Sequence, residues 1–238
     1  MTSGSGWSTK AYILMKTIPC EGASMDKEEN LKRLIECGVI SVIRARTPND
    51  AVDIGKAIHS GGINIIEVSM VTPDALEAIS TIRRELGNKI VAGAGTVLDP
   101  ESARAAILVG AEFVVGPNLN KEVIEVCRRY SKISIPGALT PTEILTAWES
   151  GADIVKVFPA SVGGPRYLRD ILEPLPQIRL LPTGGVNLEN VGDFIKAGAV
   201  AVAVGGAIVD RKAVEARRFD MIADNARKFA EAVKKARP

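Results

Sequence analysis

The sequence predicts a (β/α)8 barrel of the TIM type, closed at one end by an N-terminal capping helix. Three observations carry this prediction. Short β-branched runs recur eight times along the 238 residues. The segments between them mostly carry helical apolar spacing, and alternating strands and helices imply parallel strands joined by right-handed crossovers. No strand is followed by the G-x-G-x-x-G of an open dinucleotide-binding sheet, and eight such units point to a closed barrel.

Taken in order, KEENLKRLIECG (27–38) reads as the capping helix, placed before the first strand so that it covers the barrel's bottom. VISVIR (39–44), INIIEVS (63–69), IVAGAGT (90–96) and EFVVG (112–116) are the first four strands. KISIPG (132–137), DIVKVF (153–158), IRLLPT (178–183) and AVAVGG (201–206) are the other four. In the first connecting helix Ala51, Ile54, Ala57 and Ile58 form one apolar face, closed by Gly61 and Gly62. PESARAAILVGA, PTEILTAWESGA and LENVGDFIKAGA repeat the theme, each ending at Gly-Ala before the next strand. Residues 1–25 match nothing that follows and read as a flexible extension, so the barrel domain is expected over 26–238.

Composition narrows the class. Apolar residues make up 46% of the chain and aromatics only 4%, which suits parallel strands packed under helices. Thirty basic residues stand against 28 acidic ones, interleaved along the chain, so no nucleic-acid footprint is present. The longest apolar run, Ala199 to Val209, is shorter than the ~18 residues of a membrane span. Cys20, Cys37 and Cys127 are far apart and form no Cys-x-x-Cys pair, which argues against a disulfide framework or zinc site and for a cytoplasmic protein. The lone His59 lies near a helix end and reads as a surface residue.

In such a barrel the chemistry sits at the carboxyl ends of the strands. Polar residues interrupt or close the apolar runs there: Arg44, Glu67, Thr96, Lys156 and Thr183. Alternation along a strand puts Val155 and Val157 under the helices and sends Lys156 into the barrel with Ile154 and Phe158. It likewise puts Glu67 inside with Ile63, Ile65 and Ser69. Both residues lie on even-numbered strands, and each interior layer draws on alternate strands, so the two face each other across the mouth. A buried Lys–Glu pair that merely fills space is the structural alternative, but buried pairs are poor stabilisers. The functional reading is Schiff-base catalysis. Desolvation frees the neutral amine of Lys156 to attack a keto group, and Glu67 moves the protons.

The glycine pairs Gly184–Gly185 and Gly205–Gly206 follow the seventh and eighth strands, where backbone amides can cradle a phosphate. Gly163 and Gly164 add donors from the loop after the sixth. Arg44 and Thr96 are the candidates for a substrate carboxylate, with the glycines of GAGT letting a ligand sit against the strand end. Arg44 paired with Glu67 is the structural alternative. The pairs Arg83–Arg84, Arg128–Arg129 and Arg217–Arg218 read as solvated.

IIEVSMVTPDA, VAGAGTVLDP, IPGALTPTEI, VKVFPA and LPTGGVNLENV together resemble the successive motifs of the class I KDPG/KHG aldolases, from about residue 26 to the C-terminus. These enzymes act on 2-keto-3-deoxy-6-phosphogluconate and 4-hydroxy-2-oxoglutarate. The resemblance implies the Schiff-base lysine at Lys156, the proton-transfer glutamate at Glu67 and the carboxylate anchors at Arg44 and Thr96. It places Thr183 on the aldehyde-side hydroxyls and Gly184, Gly185, Gly205 and Gly206 in the phosphate loops. It also implies a homotrimer with no cofactor and no metal. Two positions depart from the family pattern: Gly206 stands where many members carry a serine, and Val71 where some carry an arginine. Both weaken selection for a 6-phosphate, for which backbone amides can compensate. The gluconate or galactonate stereochemistry stays open.

Two other readings accompany this one. A different phosphate-binding barrel, such as a sugar-phosphate epimerase or a phosphate-ester synthase, would share the glycine loops without needing a nucleophilic lysine. A non-catalytic metabolite-binding barrel would bind ligand without a reducible adduct.

Overall fold

The computed structural model describes residues 26–237; the extension read over residues 1–25 lies outside them. The strands are β1 (Val39–Ile43), β2 (Ile65–Ser69), β3 (Val91–Gly95), β4 (Phe113–Val115), β5 in two parts (Ile133–Ile135 and Gly137–Ala138), β6 (Val155–Val157), β7 (Leu180–Pro182) and β8 (Val202–Val204). All neighbouring pairs are parallel. β8 pairs with β1, and a parallel bridge from Thr183 to Ala203 joins β7 to β8, so the ring closes.

The fifth strand differs from the continuous run expected over 132–137. Its first part is in ladder register with β4 and its second with β6, and Asp153 N–H, just before β6, donates to Ser134 O of the first part at 3.1 Å. Pro136 stands between the two parts without an N–H to give to a ladder. Its carbonyl is still used, accepting from Lys156 N at 2.9 Å.

The principal connecting helices are α2 (Pro48–Ser60), α3 (Ala75–Leu86), α4 (Pro100–Leu108), α5 (Lys121–Arg129), α6 (Pro141–Glu149) and α7 (Gly164–Leu172), preceded by α1 (Lys27–Cys37). The shorter α8 (Val191–Lys196) and α9 (Arg211–Glu215) lead to the long C-terminal α10 (Phe219–Ala236). Three helix starts share one device: a Thr or Asp cap followed by proline. Thr47 accepts from Asp50 N, Asp99 from Ser102 N, and Thr140 forms a full capping box with Glu143. Each proline takes an early helical position whose N–H has no intrahelical partner.

Alternation along the strands divides the core into two layers. Val39, Ile43, Ile66, Val68, Val155 and Val157 face outward against the helices. Ile40, Val42, Ile65, Val91, Phe113, Ile133, Ile154 and Leu181 fill the barrel. Leu31 and Leu34 of α1 join this inner cluster, so the first helix does plug the bottom. Burial of each leucine contributes about 1.5–3 kcal/mol. Polar contacts fix the helix in place: Lys27 Nζ lies 2.8 Å from Asp153, and Asn30 donates to the buried Glu112.

Two surface expectations need correction. Arg83 is not simply solvated, because its guanidinium pairs at 3.5 Å with Glu112, which also takes Lys132 at 2.7 Å. His59 is half-buried, with Nδ1 3.0 Å from Asn64 Oδ1 at the end of α2. No helix among the described residues is long and apolar enough to cross a membrane.

Candidate active site

Lys156 is the middle residue of β6. Its register partner on β7 is Leu181, and Ile154 lies two residues before it; both belong to the inner cluster. The ammonium therefore enters the barrel, and the residue is only 7% exposed. Glu67 occupies the matching inward position on β2, in register with Val42 of the inner cluster, and is 2% exposed.

Burial moves the two groups in opposite directions. Desolvation holds the Lys156 amine below the ordinary lysine range; the Glu67 charge works against this shift and the Arg44 charge adds to it. Desolvation also pushes the Glu67 carboxyl up, against the pull of Lys156 and then Arg44. Arg44 acts on Glu67 through its charge, and Glu67 Oε2 has no hydrogen-bond partner among the described residues. The pair is poised at the mouth of the barrel rather than locked in hydrogen bonds. The Phe158 ring, on the same face of the chain, lies 5.0 Å from Lys156 Nζ.

Three of the residues expected at the last inward strand positions fall one step beyond the strands. Arg44, Thr96 and Thr183 follow Ile43, Gly95 and Pro182. Thr96 leaves β3 in a left-handed conformation, φ 59°, and its Oγ1 lies 2.7 Å from Ser69 Oγ at the end of β2. Thr183 Oγ1 is buried without a hydrogen-bond partner among the described residues.

The glycines of GAGT have a different role from the one expected. A Cβ on Gly93 would lie 2.4 Å from the Phe113 ring, and one on Gly95 would lie 1.7 Å from Glu67 Oε1. The space they leave is filled by the protein's own side chains, and in the second case by the carboxylate itself.

A cavity of about 250 Å³ opens at the mouth, lined by Arg44, Phe158, Thr183, Gly184, Gly185, Gly205 and Gly206. Gly184 and Gly185 have φ of 86° and 84°, a turn that side chains resist. A Cβ on Gly205 would sit 3.1 Å from the Arg44 guanidinium, whereas one on Gly206 would meet nothing. Thus the strand-7 and strand-8 loops converge with Arg44 and Thr183 on one space. Lys156 and Glu67 are buried and do not line it, and neither does Thr96, which lies just past β3 beside Ser69. Sequence reading passed over Ser69 and Phe158 as site residues, although both share a face with the residues that it chose.

Comparison with known proteins agrees with this geometry. A sequence model described as "KDPG and KHG aldolase" matches residues 30–224. The chain is 36% identical over 185 residues to a 2-dehydro-3-deoxy-phosphogluconate aldolase of Treponema pallidum, covering 77% of this chain and 88% of that one. It is 35% identical over 188 residues to a 2-dehydro-3-deoxy-6-phosphogalactonate aldolase of Escherichia coli, covering 76% and 92%. Among solved structures, the KDPG aldolase of Legionella pneumophila, with pyruvate captured as a covalent carbinolamine, superposes with a TM-score of 0.78 at 27% identity, over 83% of this chain and 96% of that one.

Proposed function

The chain belongs to the KDPG and KHG aldolase family, and we propose that Lys156 is the amine with which it forms an iminium on a 2-keto acid. It is a class I, lysine Schiff-base carbon–carbon lyase. The observation that carries the assignment is a lysine 7% exposed inside an apolar barrel, facing a glutamate with an unpartnered oxygen. Burial of both groups is costly and gives a stabilising role little to recommend it.

The proposed reaction is the reversible cleavage of 2-keto-3-deoxy-6-phosphogluconate to pyruvate and glyceraldehyde 3-phosphate, with 4-hydroxy-2-oxoglutarate as a further substrate. Neutral Lys156 adds to the C2 carbonyl, and the carbinolamine, protonated on its hydroxyl by the Glu67 carboxyl, loses water to give the iminium and the Glu67 carboxylate. Glu67 takes the C4 hydroxyl proton while the C3–C4 bond breaks, and the electron pair moves into the iminium to give an enamine. Glu67 then gives that proton to C3, and hydrolysis of the iminium releases pyruvate, restores the neutral amine and returns a proton to Glu67. Arg44 and Thr96 anchor the carboxylate end. Thr183, whose buried hydroxyl has no hydrogen-bond partner among the described residues, takes an aldehyde-side hydroxyl. Gly184, Gly185, Gly205 and Gly206 offer backbone to the phosphate.

A homotrimeric, cytoplasmic enzyme fits the family, and the free thiols of Cys37 and Cys127 fit a reducing compartment. The assembly is checked by light scattering on the eluting protein.

Borohydride reduction in the presence of pyruvate, followed by peptide mapping, tests the mechanism. A reduced adduct on Lys156 that disappears in Lys156→Arg is the expected result. No adduct at saturating pyruvate would overturn the assignment and return the phosphate-binding barrels without a nucleophile to consideration.

A further inference from the structure

A second cavity, of about 350 Å³, adjoins the first and shares Val42, Arg44, Gly205 and Gly206 with it. Arg46, Arg211 and Glu215 line its other side. Arg46 comes from the loop after β1, and the other two from α9 after β8. Both guanidinium groups converge on one carboxylate oxygen, Glu215 Oε1, Arg211 Nε at 3.1 Å and Arg46 in a close ion pair. Three arginines and one carboxylate thus surround a space that opens onto the glycine loop.

We propose that Arg46 and Arg211 determine specificity for a terminal phosphate monoester, closing on it from the second cavity while it rests on the Gly205–Gly206 backbone. The inference rests on the aldolase reading for the identity of the substrate.

Three observations carry it. A Cβ on Gly206 would meet no atom of the described residues, and the glycine has no side chain to hold an anion, so the loop supplies only backbone. Arg44 lies in contact range of a Cβ at Gly205 and lines both cavities, so the second cavity is continuous with the glycine loop. Finally, the pairs to Glu215 are exposed: 66% for the Arg46 side chain, 83% for Arg211 and 41% for the carboxylate. Exposed pairs of this kind are held weakly. One carboxylate oxygen shared by two guanidinium groups is a poor match for their donors, whereas a phosphate dianion presents three oxygens to the same forks. The bound phosphate would take over the arginines and leave Glu215 to solvent.

The test compares the double variant Arg46→Ala/Arg211→Ala with wild type on phosphorylated and unphosphorylated 2-keto-3-deoxygluconate. The ratio of kcat/KM for the two substrates is expected to fall about 10–100-fold, the loss that charge-assisted hydrogen bonds imply. Calorimetry with inorganic phosphate on the same two proteins is expected to show weaker binding in the variant. Glu215→Gln, which frees both arginines, is expected to bind inorganic phosphate at least as tightly as wild type. An unchanged substrate ratio together with unchanged phosphate affinity would overturn the proposal. Failure of the aldolase reading has a separate signature, a wild-type protein that gives no pyruvate adduct on Lys156. The phosphate titration still decides the role of the arginines in that event.

Discussion

The carboxylate of Glu67 occupies the space that a side chain on Gly95 would need: a Cβ there would stand 1.7 Å from Oε1. Gly95 is the last residue of β3, and its register partner is Ser69, two residues beyond Glu67 on β2. The glycine is thus a requirement of the neighbouring strand's acid. Gly95→Ala is expected to fold, with an overpacking cost of about 1–3 kcal/mol. It must also push the carboxylate off its place, and a displacement of about 1 Å at a reacting group costs on the order of 100-fold in rate. Circular dichroism and steady-state kinetics on one preparation separate the two effects.

The charges around Lys156 make two opposite predictions for pH. Adduct formation with pyruvate needs the neutral amine, so its rate should rise with pH through a midpoint below the ordinary lysine value of 10.5. Glu67 favours the ammonium, so Glu67→Gln is expected to move that midpoint down. Arg44 disfavours it, so Arg44→Ala is expected to move it up. Rapid-quench borohydride trapping across a pH series reads both shifts. Midpoints that move in the same direction in the two variants would contradict the assigned electrostatics.

Replacing both charges should stabilise the protein while abolishing activity. For Lys156→Met/Glu67→Leu the expected gain at neutral pH is about 1–4 kcal/mol, the range for buried pairs replaced by apolar residues. The size of the gain depends on pH. Because the Glu67 pKa is raised in the fold, its share of the gain is absent below the ordinary carboxylate range and appears as pH rises through it. Because the Lys156 pKa is lowered, its share appears as pH falls below 10.5. Urea denaturation at several pH values measures both.

Ser69 is expected to act as a positioning residue. Its hydroxyl lies 2.7 Å from Thr96 Oγ1, and Thr96 sits in a left-handed conformation that a β-branched residue avoids. Ser69→Ala should raise the KM for pyruvate in the condensation direction several-fold, consistent with about 1 kcal/mol for one lost hydrogen bond. Ser69→Thr, which keeps the hydroxyl, should recover part of the effect. A purely structural role would lower stability without separating these two variants.

The barrel's lower plug makes a stability prediction far from the chemistry. Leu34 of α1 is fully buried in the inner cluster. Leu34→Ala is expected to cost about 2–5 kcal/mol, read by thermal or urea unfolding. Pyruvate trapping at Lys156 should persist below the new transition, because the plug and the mouth lie at opposite ends of the barrel.

Much of this organisation was legible in the sequence because its signals are local. A strand repeats every two residues, so the valines around Lys156 assign it to the inner face without any knowledge of its neighbours. The same period places Glu67, and the apolar spacing of KEENLKRLIECG marks a helix with one face to bury. Strand ends were less legible. Arg44, Thr96 and Thr183 look like last strand residues in an extended apolar run, and backbone geometry places each in the first step of a loop. The break at Pro136 was written in the sequence as a missing N–H, but which neighbour each half of the strand would choose was not.

By itself, the sequence determined the eight-strand alternation, the inward direction of Lys156 and Glu67, and the glycine loops at the ends of the last two strands. Only the tertiary structure decided that Gly95 makes room for a carboxylate on another strand, that Thr96 meets Ser69, and that Arg46 finds Glu215 across 169 positions of chain. Periodicity is a property of one segment and can be read along it. Contact between segments depends on how a closed barrel brings its first and last loops together, and no local pattern records that closure.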